Sequence, residues 1–214
     1  MKQDLKQAVI AITGAGSGMG RCLALECAKY GAHVAISDIN HASVQQTSEQ
    51  IKALYPQAQV LVHKCDMADK DAVLQWAQAV NAHFNQINVI INNAGVASSG
   101  EIDAISLKDF KWTMDINVLG VVNGCHFFTP LLKKSEGYLI NVASMAGLIH
   151  MGGMSAYNTS KAAVVALSET LYNELSPSNM KVSVLCPAFF KTNLTDTMRS
   201  SNANGTAVAS KMMA

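Results

Sequence analysis

Charged residues are scarce in this sequence: Asp, Glu, Lys and Arg make up 14% of it, against roughly 25% in a typical globular domain. The 16 basic and 15 acidic residues nearly cancel to a formal net charge of +1, and they form no basic run or stripe. Nucleic-acid-binding domains concentrate positive charge on one face, so a nucleic acid is not an expected partner. The shortage of charge and the periodic apolar pattern suggest that part of the surface is buried in an oligomer.

Paired cysteines and long apolar runs are also missing. The five cysteines are scattered, form no Cys-x-x-Cys motif and join no Cys/His cluster with metal-ligand spacing: Cys22, Cys27, Cys65, Cys125 and Cys186. Free thiols in a reducing cytosol fit this pattern, so we expect a cytoplasmic protein without a metal site. The N-terminal apolar run is five residues long, too short for a signal peptide, and no later run approaches a membrane span.

What the sequence does contain is a regular alternation. Its 214 residues are most simply one domain with a sizeable core. Apolar runs alternate with helical patterns, and they predict six strands at residues 8–13, 32–37, 60–64, 88–91, 138–142 and 181–186. This alternation predicts an α/β fold with a doubly wound parallel sheet in the order 3-2-1-4-5-6. The expected domain covers residues 1–198, and 199–214 form a polar tail or an incomplete substrate lid.

A glycine-rich turn lies between the first predicted strand and the first predicted helix. Four glycines fall within seven residues, at Gly14, Gly16, Gly18 and Gly20. Glycines let a backbone approach a pyrophosphate closely, and the helix N-terminus that follows supplies N–H donors and a positive dipole. The alternative is a flexible Gly/Ser turn. We expect a dinucleotide to contact Gly14, Ser17, Gly18, Met19 and Gly20.

Asp38 follows the second predicted strand, eighteen residues after Gly20. This is close to the ~20 residues expected for the acid that accepts from an adenosine ribose hydroxyl. A carboxylate there would repel the 2′-phosphate of NADP, so we expect NAD rather than NADP. Asp38 has the alternative, compatible role of shaping the turn into the next helix. Arg21 weakens the preference, since it could reach a phosphate.

Further polar residues follow the predicted strands, at the edge where open α/β sheets bind ligands. Asp66 follows the third strand, where it would either touch adenine or shape the turn. Asn92-Asn93-Ala94-Gly95 closes the fourth, and Ser144 follows the fifth, where its alternative role is a helix cap. Asn117 lies among apolar residues of a long helical stretch at 106–134, and its alternative role is a structural hydrogen bond to a neighbouring strand.

Tyr157 and Lys161 stand four residues apart in a predicted helix that ends near Leu175, so their side chains project from one face. A free phenol titrates near pH ~10 and is a poor base at neutral pH. A positive charge ~4 Å away, at an effective dielectric of ~20, would favour the phenolate by roughly 4 kcal/mol, or up to about three pKa units before any desolvation penalty. The pair thus predicts a tyrosine that exchanges a proton with an alcohol or a carbonyl. For the pair taken alone, a core-edge tyrosine beside a solvated lysine is the better interpretation.

Together, these motifs resemble the classical short-chain dehydrogenase/reductase family over residues 8 to about 195. Thr13-Gly14-x-x-x-Gly18-x-Gly20 is similar to its cofactor loop, and Asn92-Asn93-Ala94-Gly95 is similar to its strand-four motif. Asp38 matches the acid of its NAD-preferring members, and four residues match its catalytic tetrad in order: Asn117, Ser144, Tyr157 and Lys161. The resemblance implies a Rossmann-like fold and an NAD(P)-dependent oxidoreductase that acts on an alcohol or a ketone.

The resemblance also implies roles for individual residues. Tyr157 is the base in alcohol oxidation and the acid in carbonyl reduction, and Lys161 depresses its pKa and binds the nicotinamide ribose. Ser144 donates to the reacting oxygen, and Asn117 holds a water that relays protons. The remaining expected cofactor contacts are Asp66, Asn93, Ala94, Gly95, Pro187 and Thr192. The long helices at 106–134 and 155–175 are expected to form a homodimer interface.

Two features depart from the family pattern. Pro187-Ala188 stands where members often have Pro-Gly, and we expect the usual seventh strand to be absent because the sequence ends at Ala214. A rival function is therefore a dinucleotide-binding sensor or scaffold that has lost catalysis. An enoyl reductase of the same superfamily would space its tyrosine and lysine more widely.

The expected cleft is flanked by residues that favour a small apolar alcohol or ketone as substrate. Ordinary packing explains these residues equally well: His150, Met151, Met154, Phe189, Phe190 and Met198.

Overall fold

The computed structural model of the protein describes residues 5–188 and 198–201. Its main sheet consists of β1 (Val9–Thr13), β2 (His33–Asp38), β3 (Val60–Lys64), β4 (Val89–Asn92), β5 (Tyr138–Val142) and β6 (Lys181–Leu185). All neighbouring strands are parallel, in the order β3-β2-β1-β4-β5-β6. The predicted α/β fold and strand order are confirmed.

Helices connect the strands: α1 (Gly18–Lys29), α2 (His41–Leu54), α3 (Lys70–Phe84), α4 (Leu107–Met114), α5 (Gly120–Leu132) and α6 (Ser155–Leu175). Three of them begin with a side-chain cap, because Asn40, Asp69 and Ser106 accept hydrogen bonds from the first turns of α2, α3 and α4. Such caps satisfy backbone donors that have no partner within the helix.

The core lies in two layers because successive residues of each buried strand face opposite sides of the sheet. Ile10 and Ile12 of β1 pack with Val44 and Ile51 of α2 on one side. Ala11 packs on the other side in the cluster that contains residues of α3, α5 and α6, among them Val73, Trp76, Val121, Phe128 and Val164. Helices therefore cover both faces, as a doubly wound sheet requires.

The helical stretch predicted at 106–134 is two α-helices separated by a π-helical turn, Asp115–Leu119. Asn117 lies in this turn and is fully buried. Single π-helical turns within helices frequently occur at functional sites. The backbone geometry alone therefore marks the region around Asn117 as a candidate functional site.

A second, two-stranded sheet pairs Ser98–Ser99 in parallel with Arg199–Ser200. Arg199–Ser201 therefore contact the domain, although the sequence analysis assigns residues 199–214 to a polar tail or an incomplete substrate lid. The domain limit at residue 198 stays a prediction, and the question of a seventh strand lies outside the described residues. Within the described ranges, none of the helices has the length and apolarity to cross a membrane.

Candidate active site

Glycine is required at two positions of the loop between β1 and α1. Gly14 has a φ of +64°, and a Cβ there would lie 2.8 Å from the Cα atom of Ala94. A Cβ at Gly20 would lie 2.2 Å from the carbonyl oxygen of Gly14. The loop after β4 thus crosses the glycine loop at backbone contact distance, and the two motifs that the sequence suggested lie together.

The start of α1 keeps its backbone donors available. Ser17 occupies the N-cap position but makes no side-chain cap hydrogen bond, and the first turn contains no acidic residue. This contrasts with the capped starts of α2, α3 and α4. The first N–H groups of a helix carry partial positive charge and lack intrahelical partners. The backbone around Ser17, Gly18 and Met19 therefore fits a pyrophosphate.

Asp38 and Arg21 both hold the glycine loop. The Oδ2 and Oδ1 atoms of Asp38 each accept a 2.9 Å hydrogen bond, from the N–H groups of Gly16 and Asn40. Arg21 donates from Nε to Oγ1 of Thr47 at 3.0 Å and from Nη2 to the carbonyl of Gly16. The turn-shaping role of Asp38 is therefore present, while its contact with a ribose stays a prediction. Arg21 is engaged within the protein through Nε and Nη2, and its contact with a phosphate stays a prediction.

Asp66 shapes the turn after β3, since its Oδ1 accepts a 2.9 Å hydrogen bond from the N–H of Ala68. The residue is exposed. This arrangement agrees with the second of the two roles that the sequence allowed. A contact with adenine stays a prediction.

The loop after β4 is fixed to the end of β1. The Oγ1 of Thr13 accepts from the N–H groups of Asn93 and Ala94 at 2.9 and 2.8 Å. In return, Nδ2 of Asn93 donates to the Thr13 carbonyl at 2.8 Å. Asn93 thus joins two strand ends. Thr13, which the sequence analysis names only as the first residue of the glycine motif, anchors the loop after β4. A Cβ at Gly95 would lie 3.3 Å from Oδ1 of Asn117 and 3.4 Å from Nζ of Lys161.

Tyr157 lies near the start of α6 and is 9% exposed. The Ser144 side chain lies close enough to the Tyr157 hydroxyl to lower the pKa of the phenol. Ser144 also caps a short 3-10 turn, Met145–Gly147, by accepting from the N–H of Ala146 at 3.2 Å. The capping role of Ser144 is therefore present, and its catalytic role, donation to the reacting oxygen, stays a prediction.

Lys161 lies one turn after Tyr157, with Nζ 5.7 Å from the centroid of the Tyr157 ring. Its Nζ donates a 2.9 Å hydrogen bond to the carbonyl of Val142 at the end of β5. Burial lowers the pKa of the Lys161 ammonium to about 8, against a smaller upward influence of Cys186. Lys161 is therefore a buried ammonium that is more acidic than an ordinary lysine. The alternative interpretation, a solvated lysine, does not hold.

The protonation of Tyr157 differs from the sequence-based expectation. The spacing of the pair and the family resemblance predict that Lys161 depresses the pKa of the phenol, but burial raises that pKa above its ordinary value, and the nearby Ser144 side chain only partly opposes this. The physical reason is that desolvation penalises the phenolate, while the ammonium of Lys161 is directed to the Val142 carbonyl. At neutral pH the phenol keeps its proton.

Asn117 uses its side chain for structural hydrogen bonds. Its Oδ1 accepts from the N–H of Val96 at 2.8 Å, and its Nδ2 donates to the Val96 carbonyl at 2.9 Å and to Oγ of Ser160 at 3.0 Å. Ser160 in turn donates to the Tyr157 carbonyl at 2.8 Å. The alternative, a structural hydrogen bond to a neighbouring strand, holds only in part, because the partner Val96 lies in the loop after β4 and not in the strand. The water-relay role stays a prediction. Ser160 was missed, although its position three residues after Tyr157 places it near the same helix face.

The segment after β6 reaches the site through Pro187, whose carbonyl accepts a 2.9 Å hydrogen bond from the N–H of Met145. Thr192, the expected carboxamide contact, lies outside the described residues, as do Phe189 and Phe190. Among the described residues, no group of three or more His, Cys, Asp or Glu is placed to hold a metal ion.

Comparison with known proteins agrees with this geometry. The family model described as short chain dehydrogenase matches residues 8–203. The SadH protein of Mycobacterium tuberculosis is 40% identical over 179 residues, which cover 83% of this chain and 64% of SadH. A short-chain dehydrogenase/reductase from Burkholderia phymatum in complex with NAD matches with a TM-score of 0.87 at 34% identity, over 91% of this chain and 70% of that one.

NAD⁺-bound xylitol dehydrogenase also matches, with a TM-score of 0.85 at 28% identity over 88% of this chain and 73% of that one. The fold is that of the Rossmann-like α/β class with a glycine loop after its first strand. Within this class, the chain belongs to the short-chain dehydrogenase/reductase family of oxidoreductases. It spans less than two thirds of the length of SadH.

Proposed function

We propose that the protein is an NAD(P)-dependent oxidoreductase that transfers a hydride between a nicotinamide cofactor and an alcohol or a ketone. The observation that carries the proposal is the buried Lys161, whose Nζ lies 5.7 Å from the centroid of the Tyr157 ring, together with a Ser144 side chain close enough to lower the pKa of the Tyr157 hydroxyl. All three lie at the sheet edge where the glycine loop and the uncapped start of α1 fit a dinucleotide.

We propose NAD rather than NADP as the cofactor. Asp38 places a carboxylate against the glycine loop, and Arg21, the nearby cation, already donates to Thr47 and Gly16. A 2′-phosphate beside Asp38 would thus meet a negative charge, while Arg21 already makes two contacts within the protein. The two solved relatives with bound NAD support the same cofactor class.

The bound nicotinamide supplies or accepts the hydride. In carbonyl reduction, Tyr157 donates its proton to the substrate oxygen, and its raised pKa keeps that proton in place at neutral pH. Ser144 donates to the same oxygen as negative charge develops there. In alcohol oxidation, Tyr157 takes the proton back. Lys161 holds the end of β5 to α6 through the Val142 carbonyl, and Asn117 holds Val96 and Ser160 in place around these groups.

The proposed substrate is a small apolar alcohol or ketone. Exposed apolar side chains follow Ser144 in the chain, since Leu148 is 58% and Ile149 is 60% exposed. Met151 and Met154 follow them before α6 begins and are partly exposed. Such a surface near Tyr157 favours an apolar ligand over a charged one.

We also propose a homodimer through the long helices. Large apolar side chains on them are exposed, including Leu107 on α4, Leu119 in the π-helical turn, Val122 on α5 and Tyr172 on α6. Burying them against a second copy would remove apolar surface from water. Light scattering coupled to size-exclusion chromatography measures the mass: a monomer would contradict this part of the proposal.

A dinucleotide-binding sensor is the second candidate, and one observation favours it. The raised pKa of Tyr157 makes the phenol a poor base at neutral pH. Fluorescence titration with NADH, followed by NADH oxidation with acetophenone, 2-octanone and cyclohexanone, separates the two functions. The enzyme predicts binding and turnover, whereas binding without turnover of any ketone or of the matching alcohols would support the sensor.

A further inference from the structure

Arg199 is held by two side chains of α4. Its Nη1 lies 2.8 Å from Oδ1 of Asp109, and its Cζ lies 3.8 Å from the centroid of the Trp112 ring. Asp109 and Trp112 are three residues apart and therefore neighbours on the helix surface. A guanidinium combines ion pairing with stacking on an aromatic ring in a way that an ammonium does not. We call this arrangement of Arg199, Asp109 and Trp112 the arginine clasp.

The backbone around Arg199 is docked as well. The N–H of Arg199 donates to the carbonyl of Ala97 at 3.2 Å, and the N–H of Ser201 donates to the carbonyl of Ser99 at 3.1 Å. A Cβ at Gly100 would lie 2.2 Å from Oγ of Ser201, so the strand and the segment 96–100 fit closely. The clasp therefore fastens a strand onto segment 96–100.

Segment 96–100 is the one that the site residues hold. Asn117 contacts Val96 through both polar atoms of its amide. Two residues further on, Oγ of Ser98 lies 2.8 Å from Oγ1 of Thr113. Segment 96–100 is therefore contacted by Asn117, by Thr113 and by the strand that the clasp holds. Asn117, Thr113 and the clasp residues of α4 all lie in α4 or in the π-helical turn after it.

The other end of this segment reaches the helix that carries Tyr157. The N–H of Gly100 donates to the carbonyl of Gly153 at 2.8 Å, and Gly100 forms a parallel bridge with Met154. The Met154 carbonyl accepts from the N–H of Asn158, which follows Tyr157 directly. An unbroken series of backbone contacts therefore runs from Arg199 to the first turn of α6.

We infer that Arg199 is a positioning residue: its clasp by Asp109 and Trp112 fixes segment 96–100 and, through the Gly100–Gly153 contact, the first turn of α6 with Tyr157. Removing the side chain at 199 loosens both ends of this series and misplaces the phenol relative to Ser144. The glycine loop contacts Asn93 and Ala94 rather than segment 96–100, so NADH affinity is not expected to depend on the clasp. Only the expected effect of Arg199→Ala on kcat rests on the proposed function.

The test compares Arg199→Ala with Lys29→Ala, a matched control. Lys29 also pairs with an acid and lies over an aromatic ring, namely Glu26 at 3.2 Å and Tyr30 at 5.6 Å, but at the far end of α1. Amide hydrogen exchange by mass spectrometry is measured on the full chain. Arg199→Ala is expected to speed exchange about tenfold in peptides covering 97–101 and also in those covering 153–158, and Lys29→Ala in neither.

Exchange that changes only at 97–101, or nowhere, would overturn the inference. Arg199→Lys, which keeps the charge, guards against a misfolded alanine variant and is expected to give a smaller change in both peptides. In the kinetic arm, Arg199→Ala lowers kcat for acetophenone reduction at least tenfold with NADH affinity within twofold of wild type. A loss of NADH affinity with unchanged kcat would also overturn it. If the wild type turns over no ketone, the proposed function fails, while the exchange experiment still decides the role of Arg199.

Discussion

The Nζ atom of Lys161 donates a 2.9 Å hydrogen bond to the carbonyl oxygen of Val142, the last residue of β5. Val142 precedes Ser144 by two residues, and Lys161 follows Tyr157 by one helical turn. This single contact therefore ties the strand end that carries the serine to the helix that carries the tyrosine. It also takes a charged group out of water, since Lys161 is 4% exposed.

The burial of Lys161 predicts a pH-dependent stability. Its pKa is about 8 in the folded protein, against 10.5 for an ordinary lysine. Below pH ~8 Lys161 is protonated in both the folded and the unfolded chain, so the folded protein bears the full free-energy cost of burying the ammonium. Between pH ~8 and ~10.5 the folded protein releases the proton first, so the free energy of unfolding rises with pH, by on the order of 3 kcal/mol in all.

Urea unfolding of wild type and Lys161→Met at pH 7, 8.5 and 10 measures this contribution. The free energy of unfolding of wild type minus that of the variant should increase across the series, because only wild type carries the titrating lysine. Lys52→Met, on the exposed face of α2, controls for removal of a lysine. A difference between wild type and Lys161→Met that stays constant with pH would disprove the lowered pKa.

The glycine loop predicts a steric effect at Gly20. A Cβ there would lie 2.2 Å from the Gly14 carbonyl, and that atom belongs to backbone that cannot move freely. Gly20→Ala should therefore abolish NADH binding or lower the melting temperature by several degrees. Gly152→Ala is the control, since a Cβ at Gly152 meets nothing within 4 Å. Wild-type NADH affinity and melting temperature in Gly20→Ala would show that the loop geometry is wrong.

The carboxylate of Asp38 predicts the cofactor preference. Asp38→Asn keeps an oxygen that can accept from Gly16 but removes the negative charge that opposes a 2′-phosphate. The ratio of the dissociation constants for NADPH and NADH, from fluorescence titration, should fall about tenfold. Asp71→Asn, in the first turn of α3, is the control for loss of a carboxylate elsewhere. An unchanged ratio in Asp38→Asn would remove Asp38 from the cofactor site.

The fold was predictable because buried parallel strands are short, nearly continuous apolar runs. Val9–Thr13 is buried throughout, and Val60–Lys64 was bounded correctly from its sequence alone. The π-helical turn at Asp115–Leu119 was not predicted, since its residues continue the apolar pattern of the helices on either side. Hydrophobic periodicity predicts that this stretch is helical, but it does not reveal that one turn contains an extra residue.

The positions of the site residues were predictable from the sequence, but their protonation was less so. The placement of Ser144 near the Tyr157 hydroxyl, and of Lys161 beside the ring, follows from strand ends and helix spacing. The direction of the Tyr157 pKa was predicted wrongly, because desolvation depends on burial that no local spacing reveals. The arginine clasp was also missed, since ninety residues separate Arg199 from Asp109. Long-range pairs of that kind leave no periodic trace in one sequence.

The most direct test of the proposed function is the turnover of Tyr157→Phe, with Tyr172→Phe on the exposed face of α6 as control. Removing one hydroxyl leaves the ring packing and the glycine loop in place, so the NADH dissociation constant should stay within about threefold of wild type. The rate of ketone reduction should fall about 10²–10⁴-fold, the range that a positioned proton donor contributes. Reduction by Tyr157→Phe at the wild-type rate would contradict the assignment of Tyr157 as the proton donor.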